Sequence, residues 1–305
     1  MIHFLIRRFT LFAATLLVVS VIVFTLSRIS GDPRLLYLTE NTTDEMWDDW
    51  GKQMGLDRHV TVQYLVWLKS ALTGDLGDSL REGRPVMTIV ASKIPATMQL
   101  GLVSFVFAIS IGILFGTLAA VKRGTKWDYA ARTFALFGQA LPPFWIGIVL
   151  VLIFAVQLEW LPAGRRDSPL SIIMPAITLG WLAAGANLRL VRSSMLNVLD
   201  SEYVLLARAK GVQNRTVIWK HAFRNALIAP LTNAGLILVG FISGTVVTET
   251  VFAWPGLGRM AVEAVSQNDF PLLVGAVLTI SFFYLTVNLL VDLTYGLVDP
   301  RIRYS

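Results

Sequence analysis

The sequence predicts an all-α membrane protein with six transmembrane helices, and three observations predict it. Of 305 residues, 55% are hydrophobic and only 15% are charged, where a soluble domain carries about 25% charged residues; the mean hydropathy is +0.63. Six runs contain no Asp, Glu, Lys or Arg over at least 19 residues: 9–27, 97–121, 133–158, 168–188, 226–248 and 270–291. A helix needs about 20 apolar residues to cross the hydrocarbon core, and no other charge-free run much exceeds half that length. The cations between the runs are distributed asymmetrically, as a multi-pass topology requires.

The first run follows Arg7-Arg8. It is longer than the roughly 7–15 apolar residues of a signal peptide and lacks a small-x-small cleavage site, so residues 1–28 read as a retained anchor. Residues 29–96 form a polar segment of short helices joined by Gly/Asp turns, either a solvated cap or a surface for an extracytoplasmic partner. Residues 97–298 hold the other five spans, and 299–305 form a tail. Six spans place both termini on one side. With the long 28–96 segment discounted, that side carries 15 Lys plus Arg against 3 opposite. Both termini and the loop around 193–225 are therefore expected in the cytoplasm, and 29–96 outside.

The loop stretch "YVLLARAKGVQNRTVIWKHAFRNAL" (203–227) is too basic for lipid. "SEYVLLARAK" fits a short helix, Gly211 suits a left-handed C-cap, and Val212 supplies the apolar contact that accompanies such a cap. Asn214 suits the N-cap of a second helix. On it Val217, Ile218, His221 and Ala222 share a face, with Arg215, Lys220 and Arg224 around it. The pattern describes a knob with an apolar tip and a basic collar. An interfacial helix on anionic lipid and plain positive-inside charge are the competing readings.

Within the spans, Pro142-Pro143 interrupt the third and Pro175 the fourth. Broken helices line transport pathways and also serve as packing kinks. Gln139, Asn187, Thr232, Asn233 and Asn288 face protein or a water-filled path rather than lipid. Glu249, where the fifth span ends, is a gate candidate or a structural partner of Arg259. The pathway or gate candidates are thus Gln139, Pro142, Pro143, Asn187, Asn233 and Glu249. Trp254 in "WPGLGR" suits an interface belt.

Other function classes lack their residues. No cysteine excludes disulfides and thiolate metal sites, and His3, His59 and His221 are scattered, so no metal site and no catalytic residues are expected. No G-x-x-x-x-G-K-[ST] phosphate loop is present. The net charge of +6 follows membrane topology and implies no nucleic acid. A channel or secondary transporter would place ionisable groups inside spans or show two matching halves, and neither is seen. A membrane scaffold accounts for the knob but not for the ordered motifs outside it.

Those motifs carry a resemblance along the whole chain. "GDP" at 31–33, "GLDR" at 55–58, "VQYLVWL" at 62–68, "GDLGDSL" at 74–80, "KIPATMQL" at 93–100, the 203–227 stretch, "ETVFAWPGLGRM" at 249–260 and "VDLTYGLVDPRIRY" at 291–304 are similar to ABC importer permeases of the type I fold, in their dipeptide/oligopeptide branch. The branch's coupling-loop pattern is matched by Glu202, Tyr203, Ala207, Arg208, Ala209, Lys210, Gly211, His221, Arg224, Asn225, Ala226 and Leu227. The general signature departs at Leu205, which replaces its Glu, and at Phe223-Arg224, which replace its Leu-Pro. The resemblance implies half of a translocation pore in a bacterial inner membrane, without bound cofactor. Its partners would be a second homologous permease, two ATPase subunits that hold ATP and Mg, and an extracytoplasmic substrate-binding protein. Peptides are the expected cargo, with nickel chelates, glutathione and opine- or sugar-type solutes as alternatives. The coupling contacts would be Ala207, Arg208, Ala209, Lys210, Gly211, Val212, Val217, His221, Arg224 and Asn225.

Overall fold

A computed structural model describes residues 2–29, 43–53 and 55–298; the GDP motif and the 299–305 tail lie outside them. Among the described residues there is no β-strand, only an isolated bridge between Asp78 and Pro85. The helices are α1 Ile2–Ile29, α2 Asp44–Gln53, α3 Val60–Leu72, α4 Val86–Val121, α5 Lys126–Ala140 and α6 Pro143–Leu150, which runs on as the π-helix Val151–Gln157. A 3₁₀ turn, Pro169–Ile172, leads into α7 Ile173–Leu199; α8 Glu202–Ala209, α9 Asn214–Ala226, α10 Ile228–Ser243, α11 Thr245–Val251, α12 Leu257–Ser266 and α13 Phe270–Val298 follow.

Four stretches are long and apolar enough to cross a membrane unbroken: Leu5–Ile29, Val86–Val121, Pro169–Leu199 and Phe270–Thr294. The count reaches six only if each of two bent pairs is one span. α5 and α6 meet at 108°, and α9 and α10 at 46°. The first bend has a local cause. Leu141 is extended (φ −100°, ψ 130°), as a residue before proline prefers. Pro143 opens α6, where its missing N–H costs nothing. α4 is longer than its charge-free run predicts: it begins at Val86 and carries Pro95 in its interior. Its 36 residues extend about 54 Å, well beyond a hydrocarbon core of about 30 Å.

The chain folds as two compact units. One takes the described residues up to Thr97 with Pro255–Leu289; the other takes Met98–Trp254 and the end of α13 from Leu290. The expected 97–298 core contributes to both. In the first unit, Val86, Ile89 and Val90 of α4, Leu257, Met260 and Ala264 of α12, and Leu272 and Ala276 of α13 form the core. Asp269 caps α13 through Leu272 N–H (3.2 Å). Its buried carboxylate also accepts from Ser79 Oγ and from the Leu80 (3.2 Å) and Arg81 (3.3 Å) amides. One acid thus pins the "GDLGDSL" turn to the start of the last helix.

In the second unit, α7 is the central helix. Along α4, Ser104, Ala108, Gly112, Gly116 and Ala120 recur every fourth residue and are all buried. They face α7 in parallel register. Gly180 fits against Ser104 and Phe107, Gly112 against Asn187, Gly116 against Leu188 and Val191, and Ala120 joins Val191 and Met195. Small residues let membrane helices approach backbone to backbone. α5 packs on the same helix through Ala131, Ala135 and Leu188. Away from this seam, the Arg165 amide donates to Phe252 O at 2.8 Å, and Arg166 donates from Nε to Gln99 at 2.9 Å. The Arg166 guanidinium lies 6.0 Å from the Trp254 ring. Trp254 is 1% exposed, so the expected interface-belt tryptophan is instead an internal packing residue held by an arginine.

Candidate functional site

The 201–226 knob is built as two helices around a glycine cap. Gly211 has φ +81°. Its amide donates to Arg208 O (2.9 Å), and the Val212 amide donates to Ala207 O (3.2 Å). These are the two bonds of a Schellman motif, which needs a left-handed residue at this position. The next helix starts one residue earlier than expected. Gln213 (ψ 136°) stands at the cap position, without a side-chain cap bond, and Asn214 is the first helical residue.

α9 is not a regular helix. Residues Val217–Phe223 form a π-turn, in which i→i+5 bonding aligns residues five apart. Val217 and Ala222 are five apart and both fully enclosed; in an α-helix they would point about 140° apart. Ala222 and Ala226, with half-buried Ile218 and Phe223, pack on Ala120 of α4 and on Val191, Met195 and Leu199 of α7. This corrects the sequence expectation. Val217 and Ala222 do not form an outward apolar tip; both are enclosed, and Ala222 belongs to the core that ties the knob to the bundle. The large hydrophobic side chains that the knob leaves exposed are Tyr203, Leu205, Leu206 and Trp219.

A hydrogen-bonded clip fixes the angle between α8 and α9. The Tyr203 hydroxyl donates to His221 O (3.2 Å) and accepts from Asn225 Nδ2 (3.0 Å); Asn225 Nδ2 also donates to His221 O (3.0 Å). His221 therefore contributes its carbonyl, and Asn225 works inside the knob. Arg208, Ala209, Lys210, Gly211, Arg224 and Asn225 are exposed, while Ala207, Val212 and His221 are half-buried. Ten coupling candidates thus fall in one compact element, with Val217 as its internal member.

Beneath the knob lies a cluster that the sequence reading counted only as charge. Asp128 is buried at the start of α5. Arg192 of α7 donates to it twice, Nε at 2.7 Å and Nη2 at 3.0 Å. The Gly124 amide donates at 3.0 Å, and Arg132 approaches to 3.5 Å. Near it, Arg123 and Asp200 pair at 3.2 Å on the surface. The available signal was that Asp128 is the only acid among the four cations of 122–132.

The six pathway candidates differ in exposure. Gln139 and Pro142 are exposed and Pro143 and Asn233 half-buried, whereas Asn187 and Glu249 are enclosed. Pro142 and Pro143 make the 108° break. Asn187 is wedged against Gly112 with neither amide atom hydrogen-bonded. Among the described residues no group of His, Cys, Asp and Glu could hold a metal ion.

Comparison with known proteins covers nearly the whole chain. Residues 112–304 match the family model "binding-protein-dependent transport system inner membrane component", and residues 1–101 match its N-terminal companion. A Brucella abortus chain whose name makes it a permease of a peptide transport system is 38% identical, with 95% of each chain covered. The dipeptide transport system permease proteins of Escherichia coli and Alkalihalophilus pseudofirmus are 35% and 34% identical, with 100% of each chain covered. Two family models in tandem, full-length relatives above 30% identity and an all-helical, multi-pass apolar chain agree: this protein belongs to the family of inner membrane components of binding-protein-dependent transport systems.

Proposed function

We propose that the chain is one permease half of the pore of an ATP-driven importer of short peptides, driven through the α8–α9 knob by a cytoplasmic ATPase. The observation that carries the reading is the knob's construction. A Schellman cap, a three-residue clip and a buried root make it stiff, and its outward side carries Arg208, Lys210, Arg224 and exposed leucines. A coupler must be rigid to pass on a displacement, and it must contact its driver differently in two states, since equal contacts shift no equilibrium. The names of the full-length relatives support a peptide cargo.

The assembly proposed with it has a second permease, two ATPase subunits carrying ATP and Mg, and an extracytoplasmic binding protein. This chain itself performs no catalysis and holds no cofactor. It sits in the inner membrane of a bacterium with both termini in the cytoplasm, as the 15-to-3 cation bias supports.

A pull-down tests this. The chain is tagged at its C-terminus, extracted in mild detergent, and its partners are identified by mass spectrometry. Recovery of a second permease and ATPase subunits is expected. A folded chain recovered alone refutes the reading. The co-recovered binding protein is then titrated with dipeptides and oligopeptides, and with a nickel chelate, glutathione and an opine. Binding of one of the last three and no peptide overturns the cargo assignment and leaves the pore assignment standing.

A further inference from the structure

We propose that α3 is a membrane-embedded interfacial helix, lying in the acyl chains of the leaflet where α1 ends, and not a solvated cap. Its sequence, VTVQYLVWLKSAL, has one charge in 13 residues. One face rests on α1. The Tyr64 hydroxyl is 2.8 Å from Ser20 Oγ, and the Phe24 ring lies 5.5 Å from Tyr64 and 5.4 Å from Trp67. Ser20 and Phe24 are enclosed by this contact.

The depth of the contact argues for lipid. Ser20 lies nine residues before Ile29, about 13 Å along the helix, and half a hydrocarbon core is about 15 Å. Tyr64 and Trp67 therefore meet α1 along its apolar final turns, not above them. Phe24, which both rings touch, lies five residues before Ile29, about 7 Å in, close below the interface where tyrosine and tryptophan concentrate.

Among the described residues nothing covers the other face. Val62, Leu65, Val66 and Leu72 are 41%, 63%, 53% and 80% exposed. With Lys69 they follow the 3-4-7-10 spacing of one helical stripe. α1 is likewise uncovered on its side away from Ser20 and Phe24, where Val18, Ile22 and Leu26 are each at least half exposed. α1 is itself a candidate span with only 11% of its apolar window buried. Both helices of the pair thus turn uncovered apolar faces outward. Lys69, with a long aliphatic stem, can lie along the α3 face and keep its ammonium at the headgroups. Monotopic helices sink about 5–10 Å in this way.

The absence of native cysteine makes the test clean. Leu65→Cys, Val66→Cys and Leu72→Cys, one at a time in the full-length chain in phosphatidylcholine–phosphatidylglycerol nanodiscs, carry a nitroxide for power-saturation EPR. The ratio of oxygen to nickel-chelate accessibility is expected above one at all three. It is expected below one at Asp57→Cys, in the exposed loop before α3. Nickel accessibility exceeding oxygen at residues 65 and 66 places the stripe in water and overturns the proposal. Low accessibility to both reagents means a protein covers it, which overturns the proposal equally. All three positions are exposed, so the label displaces no packing contact.

Discussion

Replacing Gly211 separates two reasons for a glycine in the knob. Among the described residues nothing lies within 4 Å of where a Cβ would stand, so alanine meets no clash with them. It does meet the left-handed backbone, φ +81°, which costs an L-residue roughly 1–2 kcal/mol. That strain falls on the Schellman cap and raises its open population by a factor of roughly 5–30. Hydrogen exchange at the Val212 amide, which donates to Ala207 O, reads that factor directly. Gly211→Ala is expected to speed exchange 5- to 30-fold. Gly211→Asn is expected to do so less, because asparagine tolerates this region better. Substrate-stimulated ATP hydrolysis by the assembled transporter supplies the second readout, and its loss is expected in the same order, Ala worse than Asn. If exchange in Gly211→Ala matches wild type, the conformational argument is refuted. If coupling instead declines with side-chain size, Asn worse than Ala, the glycine is there for close approach of a partner.

Four further outcomes are expected. Asp128→Ala strands the Arg192 guanidinium, and breaking such a buried pair costs about 3–5 kcal/mol; Asp128→Asn keeps part of the hydrogen bonding and is expected to unfold between Asp128→Ala and wild type in a detergent thermal-shift series. Gly164→Ala drives a methyl into the Phe252 carbonyl, and a lowered melting temperature with loss of monodisperse chain on gel filtration is expected. Tyr203→Phe removes both hydroxyl bonds of the α8–α9 clip, at about 1 kcal/mol each; faster hydrogen exchange across 203–209 with an unchanged global melting temperature is expected. Asn187→Leu replaces a fully enclosed amide without partners by an apolar group, and relieving that desolvation is expected to stabilise the chain by about 1–3 kcal/mol, read as a rise in melting temperature in nanodiscs.

Much of this was legible in the sequence for a simple reason: lipid tolerates no charge, so span positions are written in one-letter composition. The Gly211 cap was equally legible, because a glycine after a cationic helical turn has few other uses. Bends and faces were harder. Pro142-Pro143 announce a break but not its 108° angle, which depends on packing. The 46° joint at Leu227 lies within the turn before Pro230, whose ring disfavours a bond to the Ala226 carbonyl, but its angle likewise depends on packing. Val217 was assigned outward because a period of 3.6 was assumed, and the π-turn changed the period within the helix. Trp254 looks like a belt residue because its ring type is common there; Arg166, distant in sequence, lies over its ring. Asp128 and Arg192 stand 64 residues apart, and no local pattern joins them.

The α4–α7 seam has a consequence for any motion the chain makes. Where glycines bring two backbones into contact, no long side chain remains to change rotamer and absorb a displacement. Leu188 and Val191 already fill the space that Gly116 leaves, and sliding one helix past the other would drive them against its larger neighbours. The two helices should therefore travel as a single beam, with the knob root welded to its end through Ala120, Met195 and Ala222. Articulation is then left to the kinked joints, at Leu141-Pro142 and at Leu227. A tug on the knob would be delivered along the beam undiminished and spent as rotation at those two corners.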